Sequence, residues 1–270
     1  GVLQSSNDYQ TFENGNCKIT LLQMQTTFES DGTILEEPYV AHQNPNVLSW
    51  GEWIAVKAGT VKFYYPNGAI NTETSYVAKL HNDGYWQGVI EGEIISYYES
   101  GVIKSETPRK GVQQNNGAWI SLIEGNDTLY YENSVVHIVT PYLIKENKNG
   151  SWVSIIVGNQ VQNFNSGVTY VIQPYVDKQD SDGVWQGVQE GIEKQFFARQ
   201  NDNGGWVTVV NGIQTIYFEN GEINRETPIL AKLSNGNWLS IVEGIIKTYD
   251  QNGVIYSEEP SVTKQDIDGH

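Results

Sequence analysis

Trp53, Trp86, Trp119, Trp152 and Trp185 stand 33 residues apart, and each follows a glycine by two positions. Trp206 and Trp238 keep the same Gly-x-Trp phrase at steps of 21 and 32 residues, so seven of the eight tryptophans obey it. A period of this length belongs to repeat architectures, whose units cannot bury an apolar face alone and stack on one another. Nothing else in the chain restricts the fold as much.

Other positions keep the same beat. Glycine recurs six residues after each tryptophan, at Gly59, Gly92, Gly125, Gly158, Gly191, Gly212 and Gly244. Eleven residues after comes an aromatic: Tyr64, Tyr97, Tyr130, Phe196, Tyr217 and Tyr249, with Phe164 one place late. In the full-length copies a turn glycine follows at fifteen, with Ser134 as the exception, and proline at twenty-two in most copies. Run backwards, the template finds an eighth copy at Asn14-Gly15-Asn16-Cys17, with Cys17 in the tryptophan slot as a small buried hydrophobe. Repeats therefore start near 15, 51, 84, 117, 150, 183, 204 and 236, a single array over 1–270. The segment 264–269 repeats 178–183 except at one residue, which points to a continuation beyond 270.

Each copy reads as strands. "WLSIVEG" alternates, "IIKTYDQNG" ends in an Asn-Gly hairpin signal, and "VIYSEEP" alternates again. The proline suits a bend or an edge. No window has helical spacing. The 21-residue copy lacks about one hairpin without reversing the strands downstream, which favours four short strands per full repeat over three. The expectation is an all-β fold of about eight tandem antiparallel β-meander repeats, forming an open elongated array or solenoid. The alternative is a small-bladed β-propeller, closed into a ring.

The Gly-x-Trp and Tyr-x-x-x-Gly phrasing resembles MORN-type repeats and related bacterial β-hairpin repeats. That resemblance implies extended antiparallel sheets serving as scaffolds or binding surfaces. The period here is longer than a MORN unit, and the proline segment is additional.

Composition narrows the function. Apolar residues make up 39% of 270, with 27 glycines, 16 tyrosines and one methionine, a balance for short strands and tight turns. A net charge of -16 with no basic cluster argues against nucleic acid. One cysteine gives neither a disulfide framework nor a cysteine zinc site. No apolar run reaches the length of a membrane helix.

A reaction needs one constellation that breaks the repeat symmetry. His42, His81, His137 and His270 lack metal-ligand spacing and read as solvated strand or loop residues; no catalytic residue, metal or cofactor is assigned. Glu73, Glu106, Glu226 and Glu258 recur two residues before the proline position, with Glu37 near it in the first copy; they read as outward carboxylates paired with lysine or water.

The clearest break is Trp-Gln-Gly after an Asp-Gly turn, found twice, 99 residues apart: Asp83, Trp86 and Gln87, then Asp182, Trp185 and Gln186. An indole face beside an amide suits a sugar ring and its hydroxyls. The glycine alternatively marks a bulge, or the block was copied without consequence.

The expectation is a non-catalytic, acidic, secreted or cell-surface β-repeat protein for binding or adhesion, with a glycan or a protein surface as ligand. A glycan-active enzyme on a closed propeller and a purely structural scaffold are the alternatives.

Overall fold

The computed structural model describes residues 4–14, 17–43, 53–191 and 196–262. Gly15, Asn16, Gly51, Glu52, the segment 263–270 with His270, and the side chain of Cys17 lie outside the described residues. Every regular element described is a β-strand. The chain divides into two compact units, 1–134 with 150–152, and 135–149 with 153–270.

The first unit contains β1 (Gln4–Asn14), β2 (Cys17–Phe28), β3 (Ile34–Gln43), β4 (Trp53–Lys57) and β5 (Gly59–Tyr64). It continues with β6 (Ile70–Leu80), β7 (Trp86–Tyr97), β8 (Ile103–Gln113), β9 (Trp119–Ile123) and β10 (Gly125–Tyr130). They form an antiparallel meander in the order β1-β2-β3-β5-β6-β7-β8-β10, with β4 also on β3 and β9 also on β8.

A full repeat is two long bent strands, where four short ones were expected. Trp53 to Tyr64 is interrupted only at Ala58, and β7 runs unbroken from Trp86 to Tyr97. The bend lies at the glycine six residues after the tryptophan. Gly59 has φ +107°, and a Cβ there would press on the Pro38 ring at 3.0 Å. Ala58 donates its N–H to the Pro38 carbonyl. Glycine and proline thus belong to one structure, the bent crossing of neighbouring repeats, where a missing proline N–H is tolerated.

Across the bend, the two halves of a strand have different partners. Ile34–Glu36 of β3 pairs with Lys62–Tyr64 of β5, whereas Tyr39–Gln43 pairs with Trp53–Lys57 of β4. Toward the tyrosine turns the half-strands make one continuous sheet. Toward the tryptophan turns they make two-stranded hairpins that stack face on face. A Cβ on Gly88 of β7 would lie 2.6 Å from the Lys57 carbonyl oxygen of β4. A Cβ on Gly111 of β8 would lie 3.2 Å from Val89 Cγ1 of β7. The two modes are compatible because two strands in one sheet advance by about 10 Å, the spacing at which sheets pack face to face.

The core lies in the stack. The residue three after the tryptophan is buried at Val56, Val89, Ile155, Val188 and Val209. It meets a face of small residues: the position two after the tryptophan is Ala55, Gly88, Ser121, Ser154, Gly187, Thr208 or Ser240. Each interface therefore joins an aliphatic face to a small-residue face.

The second unit comprises β11 (Val136–Glu146), β12 (Trp152–Ile156), β13 (Gly158–Asn163), β14 (Thr169–Gln179), β15 (Trp185–Gln189) and β16 (Phe196–Gln200). It ends with β17 (Trp206–Val210), β18 (Gly212–Tyr217), β19 (Ile223–Ser234), β20 (Asn237–Tyr249) and β21 (Ile255–Val262). The orders are β11-β13-β14-β15 with β12 on β11, then β16-β17, then β18-β19-β20-β21.

The short copy keeps a tryptophan-side hairpin, β16/β17. Gln200 opposes Trp206 as Gln179 opposes Trp185, so Phe196, opposite Val210, takes the place of Tyr175, opposite Gln189. Phe196 is therefore not the equivalent of Tyr64, because what this copy lacks is the tyrosine-turn half that would place it there. No described pairing closes either unit's sheets on themselves, so the meanders are open and the propeller is not realised.

Candidate binding surface

Every tryptophan whose ring contacts are described is tied to the preceding hairpin. Trp119 donates its indole N–H to the Leu80 carbonyl at 2.9 Å, and the Lys79 ammonium lies 5.1 Å from its ring centroid. In the second unit Trp185 donates to the Glu146 carbonyl under Lys145, and Trp206 to the Gln179 carbonyl under Lys178, at 4.7 and 5.2 Å from the centroids. Arg199 lies 5.5 Å from the Trp238 ring. Lys79 and Lys178 are also held by Glu91 and Glu190, each at 2.7 Å. The sequence carried this signal: a cation stands seven residues before Trp86, Trp152, Trp185 and Trp206, and it serves the tryptophan of the following hairpin.

At Trp86 the cation is replaced by His42, stacked on the indole with centroids 3.8 Å apart. Its Nε2 is buried without a hydrogen-bond partner, and burial holds the imidazole below its usual pKa. His81 is also not solvated. It is 4% exposed, accepts the Asp83 N–H at Nδ1 and stacks on Tyr85. The Trp86 indole over His42 and the Tyr85 ring over His81 explain both departures from the expected solvated histidines.

Among the recurring glutamates, Glu37 meets Lys57 and Glu73 meets Lys62 as expected, but Glu73, Glu106 and Glu226 also take a tyrosine partner that was not expected. Tyr64, Tyr97, Tyr130 and Tyr249 donate their hydroxyls to Glu36, Glu73, Glu106 and Glu226 at 2.6 to 2.7 Å. Each pair joins a repeat to the preceding one. Burial, then the carboxylate partner, pushes the Tyr64 and Tyr97 phenols up to about 12; for Tyr130 the Glu106 hydrogen bond comes first. Glu73 additionally meets Lys62 at 3.3 Å. Tyr65 and Tyr98 donate to the carbonyls of Tyr97 and Tyr130, completing a regular ladder.

The two Trp-Gln-Gly sites occupy corresponding places. Gln87 donates its amide to the Trp119 carbonyl of the next hairpin at 3.1 Å, and Trp86 donates to the Gln43 carbonyl. Gln186 donates instead to Asp180 Oδ2 at 3.2 Å, and Trp185 lies under Lys145. Gly88 and Gly187 sit against the carbonyl oxygens of Lys57 and Ile156, so the glycine allows close hairpin stacking and marks no bulge. Asp83 is 77% exposed at its side chain, and Asp182 is exposed at its turn. The turn at Asp182 is held by Asp180, whose Oδ1 accepts the N–H groups of Asp182 and Val184.

One residue of this surface escapes a reading of the sequence alone. Tyr85 is 47% exposed, beside Trp86, with its ring backed by buried His81. It is the middle residue of Gly-x-Trp, the variable place in the phrase, and the signal is that tyrosine occurs there only once.

The half-strand, tyrosine turn, half-strand module seen at 57–78 recurs at 90–110, 210–229 and 242–262. Four segments match the MORN repeat variant. The matched MORN variant segments each begin inside a tryptophan strand, round the tyrosine turn and end near the proline bend, leaving the tryptophan turns outside the match. A comparison with curated proteins finds no match. Among solved structures, a porin-like protein from Bacteroides uniformis aligns with 88% of this chain and 82% of its own, at 8% identity and a TM-score of 0.16. So low a score supports no statement about this chain.

Proposed function

We propose that the chain is a non-catalytic binding protein that acts outside the cell or on its surface and presents its open sheets to a glycan. The carrying observation is that its polar chemistry is repeated, with tyrosine–glutamate pairs at Tyr64, Tyr97, Tyr130 and Tyr249 and tryptophan–cation pairs at Trp119, Trp185, Trp206 and Trp238, where a reaction calls for a single convergent set. What breaks the repetition is the turn 81–85. There an exposed tyrosine ring stands on a buried histidine, next to an exposed carboxylate. A ring held rigid by its neighbour suits stacking against a pyranose, and Asp83 suits its hydroxyls. The turn at 180–184 carries Asp182 but has Val184 where Tyr85 stands, which makes it the weaker site.

The test is a glycan array followed by isothermal titration of the best ligand. Tyr85→Ala and Asp83→Ala are each expected to weaken binding at least tenfold while leaving the melting temperature in place. Absence of any glycan binding at millimolar concentration sinks the carbohydrate assignment. Capture of a protein ligand that is lost with the same variants would move the reading to the protein alternative.

A further inference from the structure

Tyr217 stands apart from the other tyrosines of the ladder. Tyr64, Tyr97, Tyr130 and Tyr249 are half-buried, and each gives its hydroxyl to a glutamate of the preceding repeat. Tyr217 is 37% exposed, and among the described residues its hydroxyl has no partner. The short copy is the cause. Glu73, Glu106 and Glu226 fall twenty residues after a tryptophan, but twenty residues after Trp185 the chain has already reached Gly205, in the next tryptophan turn.

The strand that would carry this glutamate is missing with it. Elsewhere the strand in the place of β18 has a neighbour on each side: β5 lies between β3 and β6, and β10 between β8 and β11. Among the described pairings β18 has β19 alone, and residues 169–173 of β14 have β13 alone. β14 and β18 come within 8 Å at their nearest Cα atoms without forming a ladder. Residues 192–195 lie outside the described residues, and the Gly191–Phe196 bridge ties their two ends together. Four residues held in this way, two out and two back, reach about 7 Å, whereas the six residues of β18 extend ~20 Å. They cannot line that edge. The side chains exposed beside it are apolar: Ile213 is 49% and Ile216 48% exposed on β18, and Ile172 is 44% exposed on β14. Thr60, Glu93, Asn126 and Asn159 hold the place of Ile213 in other repeats, and Glu73 and Glu106 that of Ile172.

We propose that β18 takes up a β-strand of a partner protein, added antiparallel along its outer edge. The ladder specifies the strand. Thr128 of β10 lies opposite Glu106 of β8, and Tyr130 reaches that glutamate. Thr215 and Tyr217 hold the corresponding places on β18, so the partner carries a carboxylate opposite Thr215 and aliphatic side chains against Ile213 and Ile216. Main-chain hydrogen bonds supply the affinity, and the carboxylate and aliphatic positions the selectivity. Glu36, Glu73, Glu106 and Glu226 are already held by tyrosines of this chain, which leaves Glu258 for a second copy to offer. A net charge of -16 works against that pairing and favours a different protein.

The experiment uses the full chain, with its isoleucine methyl groups labelled for NMR. The probe is a backbone-cyclised peptide with the sequence of residues 93–108, whose second strand carries Glu106, confirmed as a hairpin by its own cross-strand contacts. Saturable shifts at Ile213 and Ile216 are expected, with slower amide exchange across residues 212–217. Tyr217→Phe in the chain and Glu106→Gln in the peptide each weaken binding at least fivefold, and together no more than either alone. No saturable shift, no slowing of exchange in β18, or an affinity that neither substitution changes overturns the proposal. Sedimentation showing that the chain associates with itself, and that Glu258→Gln or Tyr217→Phe abolishes this, overturns the choice of partner.

Discussion

Gly150 adopts φ +80°, and a Cβ there would run into the Asn115 side chain of the preceding turn. Gly68, at φ +83°, has nothing within 4 Å of such a Cβ. Gly150→Ala is therefore expected to cost on the order of 2 kcal/mol or more, and Gly68→Ala about 1 kcal/mol from backbone conformation alone, both read by urea unfolding. The tyrosine–glutamate pairs act at the same scale. The folded chain raises Tyr64, Tyr97 and Tyr130 from 10.0 to about 12, so their contribution is complete below pH 10 and is lost as pH rises through 12. Glu73→Gln is expected to bring the Tyr97 phenol back toward its ordinary value while leaving Tyr130 unchanged, measured by phenolate absorbance. His42 has the opposite sign. A base whose pKa is lowered by burial contributes above its unfolded value, and the contribution is lost as pH falls toward the folded one. His42→Lys restores the cation found at the other interfaces. It is expected to raise the melting temperature more at pH 5 than at pH 8.

At the scale of elements, the aliphatic residue between hairpins carries the packing. Val209 is 1% exposed, so Val209→Ala should cost about 2 kcal/mol, whereas Leu239→Ala, at a residue 48% exposed, should cost well under 1 kcal/mol. A melting comparison of the two variants checks the assignment of the core to the stack. The same scale shows what was legible in the sequence. Trp86 and Tyr97 announced strand starts and turns by spacing alone, because each is needed once per unit. The number of strands was not legible. Gly92 and Gly59 look like hairpin ends in sequence, yet the chain only bends there, and the deciding fact is a contact with residues of the preceding repeat. Glu73 could not be assigned for the same reason, since its tyrosine partner lies 24 residues away. Lys79 is a periodic signal that is easily passed over, because a cation on a strand is ordinarily solvated.

For each unit as a whole, the interfaces are few in kind and each joins neighbours. Stability in such a chain is a sum of unit and nearest-neighbour terms. Trp119→Ala is expected to speed amide exchange in hairpins β6/β7 and β8/β9 and to leave β16/β17 unchanged, which hydrogen exchange read by mass spectrometry resolves. A uniform rise in exchange across the chain would contradict that local coupling.

The agreement between two strand widths and one stacking distance also governs how such a chain can change in length. Removing a complete repeat returns the next aliphatic face to a small-residue face, and the join is indistinguishable from the original. Removing one strand presents the wrong face and reverses every strand downstream. The copy between Trp185 and Trp206 sheds its tyrosine-turn half and leaves the alternation of faces intact. The array thus has a reading frame, counted in hairpins, and lengths that break it have no folded counterpart.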